Sequence, residues 1–173
     1  MIEVRFHGRG GQGVKKSAQI LGRAAYLEGF YTQDFAIYGA ERTGAPLTSF
    51  VRINKERINT RGYIFEPDFI VVLDDSLELD KCVKGMKGST HVIVNTGKEI
   101  RRKNFHTIDA TSIVLKHLKR PITNIAMLGA LAKVSGAVSM KNLEKAVRTE
   151  MAKHMEIVEN NVKAAEEIYR MIK

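Results

Sequence analysis

Ile2-Glu3-Val4-Arg5-Phe6-His7-Gly8-Arg9-Gly10-Gly11-Gln12-Gly13-Val14 changes its pattern along its length, and that change decides the fold. Ile2, Val4 and Phe6 alternate with Glu3 and Arg5, the period of a strand with one buried face. Glycines then fall at positions 8, 10, 11 and 13, where backbone freedom replaces side-chain packing. From Val14 onward the apolar positions Val14, Ala18, Leu21 and Ala25 recur at helical spacing, and Gly29 supplies a helix stop. The opening unit is therefore strand, glycine turn, helix.

The same reading extends outward. Phe30 to Tyr38 and Leu47 to Ile53 are strand-like, and Lys55 to Arg57 suggests a turn into a hairpin partner. Phe69-Ile70-Val71-Val72-Leu73 is a continuous apolar strand of the kind buried on both faces of a parallel sheet. Asp74, Asp75 and Ser76 offer caps for a helix from about Leu77 to Val83. His91 to Asn95 and Phe105 to Ile108 are further short strands. After them the pattern is helical: Thr111 to Leu118, Asn124 to Val134 closed by Gly136, a helix capped by Ser139, and a tail from about Lys153. In that tail Met155, Val158, Val162, Ala165, Tyr169 and Ile172 form one stripe, fit for docking on its own domain or for binding a partner. Strands alternating with helices, followed by helices alone, predict an α/β fold: a mainly parallel, wound (Rossmann-like) sheet, flanking helices and a helical C-terminal layer. No repeat or linker interrupts it, so residues 1–173 read as a single domain.

Composition narrows the function. The chain has 173 residues, enough to bury a real core, with 44% hydrophobic and 27% charged residues. No apolar run approaches the length that spans a bilayer, and Met1 leads straight into a strand rather than a leader, which reads as cytoplasmic. Cys82 is the only cysteine, which excludes an intrachain disulfide and argues against a cluster held by this chain's thiolates. The five histidines show no metal-ligand spacing. A net charge of +9 suits a phosphorylated small molecule, an acidic partner or a solvated basic face. Much of it is local, in Arg101, Arg102 and Lys103 and in Lys116, Lys119 and Arg120. Nucleic acid is disfavoured, because no recognised binding motif is present and aromatics are only 7%.

Two loops carry the chemistry. Glycines between a strand and a helix let backbone amides approach a ligand at the helix's positive end, so Gly8, Arg9, Gly10, Gly11, Gln12 and Gly13 are candidates for binding a phosphate or carboxylate. Gly8, Gly10 and Gly13 also match Gly-x-Gly-x-x-Gly, with Asp34 about 20 residues on, which leaves a dinucleotide site and a free-standing NAD-binding dehydrogenase open. A tight packing turn without a ligand is a third reading. The second loop is Tyr38-Gly39-Ala40-Glu41-Arg42-Thr43-Gly44-Ala45-Pro46. It follows a strand and is expected beside the first loop, with Arg42 as a planar donor fork and Glu41, Thr43 and Gly44 around it.

In order and at this spacing, Arg5 to Gly13 and Tyr38 to Pro46 resemble the gamma subunits of the 2-oxoacid:ferredoxin oxidoreductases. Ile125-Ala126-Met127-Leu128-Gly129-Ala130-Leu131 extends the resemblance along most of the chain. The Glu-Arg-Thr-Gly-Ala-Pro form looks like pyruvate or branched-chain members more than 2-oxoglutarate members. The resemblance implies a part in oxidative decarboxylation of a 2-oxoacid with coenzyme A, giving an acyl-CoA, carbon dioxide and reduced ferredoxin, or in the reverse. It implies alpha, beta and delta subunits as partners, with thiamine diphosphate, Mg2+ and 4Fe–4S clusters held by them and no cofactor held by this chain alone. The gamma unit is then expected to close over the active site and handle coenzyme A. Within this sequence there is no Gly-Asp-Gly followed by paired asparagines for thiamine diphosphate and magnesium.

Overall fold

In the computed structural model, which describes residues 1–37 and 43–172, Ile2–Arg9 is strand β1 and Val14–Leu27 is helix α1. Tyr31–Ala36 (β2) and Pro46–Asn54 (β3) follow, then Phe69–Val72 (β4), a single turn Leu79–Cys82 (α2), His91–Asn95 (β5) and Phe105–Ile108 (β6). Helices Ala110–Leu118 (α3), Asn124–Ser135 (α4), Met140–Glu150 (α5) and Met155–Met171 (α6) complete the chain. The strands form one sheet in the order β2-β3-β1-β4-β5-β6. β1, β4, β5 and β6 are mutually parallel, while β3 runs antiparallel to both β1 and β2. The architecture is the expected α/β one, mainly parallel with a helical C-terminal layer.

The differences from the sequence reading are instructive. β3 inserts between β1 and β2, so the first two strands are parallel but not neighbours. Lys55 to Arg57 leads into no hairpin partner: residues 55–68 are irregular, and the hairpin lies instead between β2 and β3. The helix expected from Leu77 to Val83 shrinks to one turn with Glu78 at its N-cap and no side-chain cap. Asp74 accepts instead from the backbone N–H and hydroxyl of Ser76 (2.9 and 2.5 Å), a local turn that competes with helix initiation.

The long helices pack over one face of the sheet. Val4, Phe6, Val51, Ile53, Val71 and Ile93 point into a core shared with α1, α3, α4, α5 and α6. α4 is apolar nearly all round, and Asn124 through Ala132 are all buried, as befits a helix covered on every side. The C-terminal stripe docks on this core through Val158, Val162, Ala165 and Ile172, with Met155 left exposed. The other face is thinly covered. α2 and neighbouring loops close a small cluster of Ile70, Val72, Cys82, Val92 and Val94. Beside it, residues 55–68 lie over two buried arginines, Arg5 and Arg52.

Candidate functional site

The strand order reverses direction around β1: α1 leads away to β2 on one side, and the chain returns to β4 on the other. In open α/β sheets such a switch point leaves a crevice beyond the carboxyl ends of the strands. Here it lies between the glycine turn after β1 and Asp74–Ser76 after β4. The start of β3 brings the second loop to the same place. Gly10 donates its N–H to Ala45 O (2.8 Å) and accepts from Gly44 N (3.1 Å), and a Cβ on Gly11 would sit 3.8 Å from the Thr43 methyl. Glu41 and Arg42 lie outside the described residues.

The glycines divide by role. A Cβ on Gly8 would meet Val14 Cγ2 at 2.6 Å, and one on Gly13 (φ +76°) would meet Asn124 Nδ2 at 2.5 Å. Both positions therefore serve close packing of α1 and α4 against β1. Gly11 (φ +92°) has nothing closer than Thr43 and keeps open space on its exposed side. Arg9 and Gln12 knit the crevice together. Arg9 donates to Ser76 Oγ (2.9 Å) and Gly44 O (3.0 Å) and pairs with Asp74 (3.3 Å). Gln12 accepts from Arg9 N (2.7 Å) and donates to Asp74 Oδ2 (2.6 Å). Burial pushes the Asp74 carboxyl up, but hydrogen bonds from Ser76 and Gln12 and the nearby Arg9 charge outweigh it and hold it below the usual carboxylate range. Asp74 and Ser76 were read from sequence as helix caps; they are the hub of the crevice.

α1 begins at this crevice without a side-chain cap and without an acidic residue in its first turn. Lys15 and Lys16 follow, Lys16 paired with Glu150 at 3.2 Å, so no carboxylate of the first turn occupies the helix's own positive end. Behind Gly13 lies a cavity of about 510 Å³, lined by Lys16, Asn124, Ile125, Glu150, Ile157 and Asn161 among others. Asn124 Oδ1 and Asn161 Oδ1 are buried with no donor in reach among the described residues, although buried polar atoms are normally paired. Their amide nitrogens face Gly13 O (3.5 Å) and Ile157 O (2.9 Å), which fixes the free oxygens as acceptors. The local signal for Asn161 is a polar residue beside the apolar stripe, three residues after Val158 and four before Ala165.

Asp34 does not reach the glycine turn. In register it lies opposite Val51, which pairs with Val4, well below Arg9 at the end of β1. Its carboxyl faces Gly22 on α1, and burial, reinforced by Glu150, pushes its pKa up. Asp34 is thus not placed to serve as the ribose-binding acid of a dinucleotide site. His91 Nδ1 and His106 Nε2 form a pair 3.0 Å apart that their sequence spacing did not suggest. No group of three His, Cys, Asp or Glu among the described residues could hold a metal ion. No described helix is long and apolar enough to cross a membrane.

His7, just before the turn, is half-buried beside Arg5, whose Nε donates to His7 Nε2 at 3.0 Å. Burial, and then the Arg5 charge, push the imidazole down to about 4. The unfolded chain takes up this proton below its ordinary value of about 6.5, while the native state stays neutral. Stability therefore falls as pH drops from about 6.5 towards 4. Burial also lowers the pKa of His106, which acts in the same direction. Urea unfolding at pH 5 is expected to show about 2 kcal/mol less stability than at pH 7. His7→Gln is expected to remove most of the difference; an unchanged slope in that variant would refute the assignment.

A wound α/β fold with a glycine turn at the switch point of its sheet is the class these observations define. The family model described as pyruvate ferredoxin/flavodoxin oxidoreductase matches residues 3–171, and the chain belongs to that family. It is 45% identical over 179 aligned residues to the pyruvate/ketoisovalerate oxidoreductases common subunit gamma of Pyrococcus furiosus, covering 98% of this chain and 96% of that one. It is 44% identical to the pyruvate synthase subunit PorC of Methanothermobacter marburgensis, covering 100% of this chain and 98% of that one. The crystal structure of the pyruvate oxidoreductase subunit PORC of Thermotoga maritima superimposes with a TM-score of 0.87 at 38% identity, over 99% of this chain and 97% of that one.

Proposed function

We propose that residues 1–173 act as one unit, the gamma subunit of a cytoplasmic 2-oxoacid:ferredoxin oxidoreductase complex of the pyruvate type. The observation that carries this reading is the family match across residues 3–171. In the proposed reaction the bond between C1 and C2 of pyruvate breaks, carbon dioxide leaves, and the acyl group is joined to the sulfur of coenzyme A. The two electrons released pass to ferredoxin. Thiamine diphosphate with Mg2+, held by alpha and beta subunits, supplies the electron sink for decarboxylation, and 4Fe–4S clusters, some of them on a delta subunit, carry the electrons. This chain holds none of these groups; its part is to close over the reaction and to handle coenzyme A.

The crevice supports that assignment. The uncapped start of α1 suits coenzyme A phosphates, with Gly11 leaving room for backbone approach. The proposed ligand contacts are Gly8 to Gly13 together with Glu41, Arg42, Thr43 and Gly44. Within that set Gly8 and Gly13 contribute shape, and Arg9 and Gln12 hold the loop. A second reading, use of a branched-chain 2-oxoacid, is favoured by relatives named as a subunit common to pyruvate and ketoisovalerate oxidoreductases.

The test is reconstitution. The free chain is expected to show no oxidoreductase activity, and the assembled complex is expected to form acetyl-CoA with dye reduction that depends on coenzyme A. In that complex Arg42→Lys is expected to assemble normally and turn over roughly tenfold more slowly or worse, because an ammonium cannot replace the two-point grip of a guanidinium. Arg102→Ala is the control. Arg102 is solvent-exposed near Asp80 at 3.5 Å, and losing it is expected to change little. Dye reduction that is indifferent to coenzyme A would refute the proposal.

A further inference from the structure

The open face of the sheet carries an aromatic ladder whose outer rings, Tyr63 and Phe65, are exposed. Phe35 and Phe50 stack with ring centres 4.9 Å apart, Phe50 stacks on Tyr63 at 5.9 Å, and Tyr63 meets Phe65 edge-on at 6.3 Å. The ladder runs outward: Phe50 is buried, whereas Tyr63 is 53% exposed and Phe65 is 72% exposed. Between them Ile64 is buried at 2%, so this irregular segment turns one side chain in and its two neighbours out.

An exposed phenylalanine at the tip of a loose loop would mean little. These rings stand on a backbone that is tied down from beneath. Arg5, 8% exposed, donates from Nη1 to Ile64 O (3.4 Å) and Phe65 O (3.3 Å). Its Nη2 donates to Cys82 O (2.9 Å) and Lys84 O (2.7 Å). Arg52, 1% exposed, donates to Gly62 O at 2.9 Å. Gly85 seals the arrangement, since a Cβ there would lie 2.2 Å from Phe65 O. Two buried cations are thus spent on ordering the irregular segments on either side of a cavity of about 500 Å³, whose lining includes Phe50, Tyr63, Phe65, Glu66, Lys81 and Lys84.

Aromatic side chains held in advance on a fixed backbone lose little conformational freedom on binding, and such residues dominate interface energies. The polar border gives the partner's sign. Lys55, Arg57, Arg61 and Lys84 are exposed on the same two segments, against Glu56 and Glu66; Glu78 is paired with Lys81 (2.7 Å) and Asp80 with Arg102 (3.5 Å). This excess agrees with the chain's net charge of +9.

We infer that this face, centred on Tyr63 and Phe65, docks this chain onto a larger subunit of its complex, through an apolar partner surface bordered by carboxylates. The inference rests on the proposed function for the existence of that subunit, and it adds which surface meets it. The interface is separate from the glycine crevice, which lies beyond the carboxyl ends of the strands.

The test uses the assembled complex. A tagged thiamine diphosphate-binding subunit is used to capture wild type, Tyr63→Ser/Phe65→Ser, Lys84→Glu and, as a control on α1, Tyr26→Ser, whose ring is 68% exposed. The double serine variant is expected to keep the free chain's melting temperature and to lose about thirtyfold or more in affinity, the change that corresponds to a loss of about 2 kcal/mol. Lys84→Glu is expected to weaken capture and reduce its sensitivity to salt, and Tyr26→Ser to behave as wild type. Equal capture of wild type and the double variant would overturn the docking face while leaving the proposed function standing. Failure of the wild type itself to be captured would overturn the reading of the complex, and this inference with it. A dimer of the free chain that the double variant abolishes would assign the face to a second copy and overturn the choice of partner.

Discussion

Gly129→Ala is expected to destabilise the chain by about 3 kcal/mol, at the upper end of overpacking costs, although alanine is intrinsically the better helix former by about 1 kcal/mol. The sign follows from one distance. Gly129 sits in the middle of α4 where α6 crosses it, and a Cβ built there would stand 2.1 Å from the backbone oxygen of Ala165. Because the obstacle is backbone, no rotamer change relieves it. Ala164 and Ala165 are already small and fully buried, so the two helices have no side chain to trim. Gly129→Ala must push α6 away from α4, and Ala165→Gly should not rescue it. The disturbance should also reach the cavity behind the glycine turn, since Asn124 on α4 and Asn161 on α6 both line it. Urea unfolding measures the effect; a Gly129→Ala chain as stable as wild type would show that α6 yields at no cost.

That glycine was visible in the sequence only as part of an apolar, alanine-rich helix, and the contrast shows what local patterns carry. The opening strand, turn and helix were legible because each period reports its own geometry: alternation for β1, glycines for the turn, helical spacing for α1. α4 was legible as a helix because Gly136 ends it in the left-handed conformation, and α5 because Ser139 accepts from Asn142 N. What stayed hidden depends on partners distant in the chain. Nothing near β3 announces that it will insert antiparallel between β1 and β2. Arg5 and Arg52 occupy the polar positions of alternating strands and so read as solvent-facing, yet both are buried under an irregular cover that only they hold in place. In the crevice, the glycine turn and its approach to Thr43 and Gly44 were foreseeable. The hub formed by Asp74 and Ser76 was not, because short polar residues after a strand look the same whether they cap a helix or bind the next loop.

Arg52→Met should cost at least about 3 kcal/mol, the scale for removing one partner of a buried ion pair. The guanidinium is satisfied on three sides: Nε donates to Glu3 Oε1 (2.8 Å), Nη1 to Gln33 Oε1 (2.9 Å) and Nη2 to Gly62 O (2.9 Å). It also lies 5.4 Å from the centre of the Phe35 ring. Methionine fills much of the volume but leaves the Glu3 carboxylate without its cation and the Gly62 carbonyl without its donor. Arg52→Lys should be only partly tolerated, because one ammonium cannot reach three acceptors held in a planar fork. The double change Glu3→Leu/Arg52→Met removes both charges and should recover most of the lost stability, since apolar replacement of a buried pair is often close to neutral. It should not recover assembly. The donor to Gly62 O is still missing, so the segment bearing Tyr63 and Phe65 is no longer fixed before binding, and the cost of ordering it falls on the interface. Chemical denaturation of the three variants, alongside capture by the larger subunit, separates the two roles. A double variant that regains wild-type stability and wild-type capture together would show that Arg52 serves the fold alone.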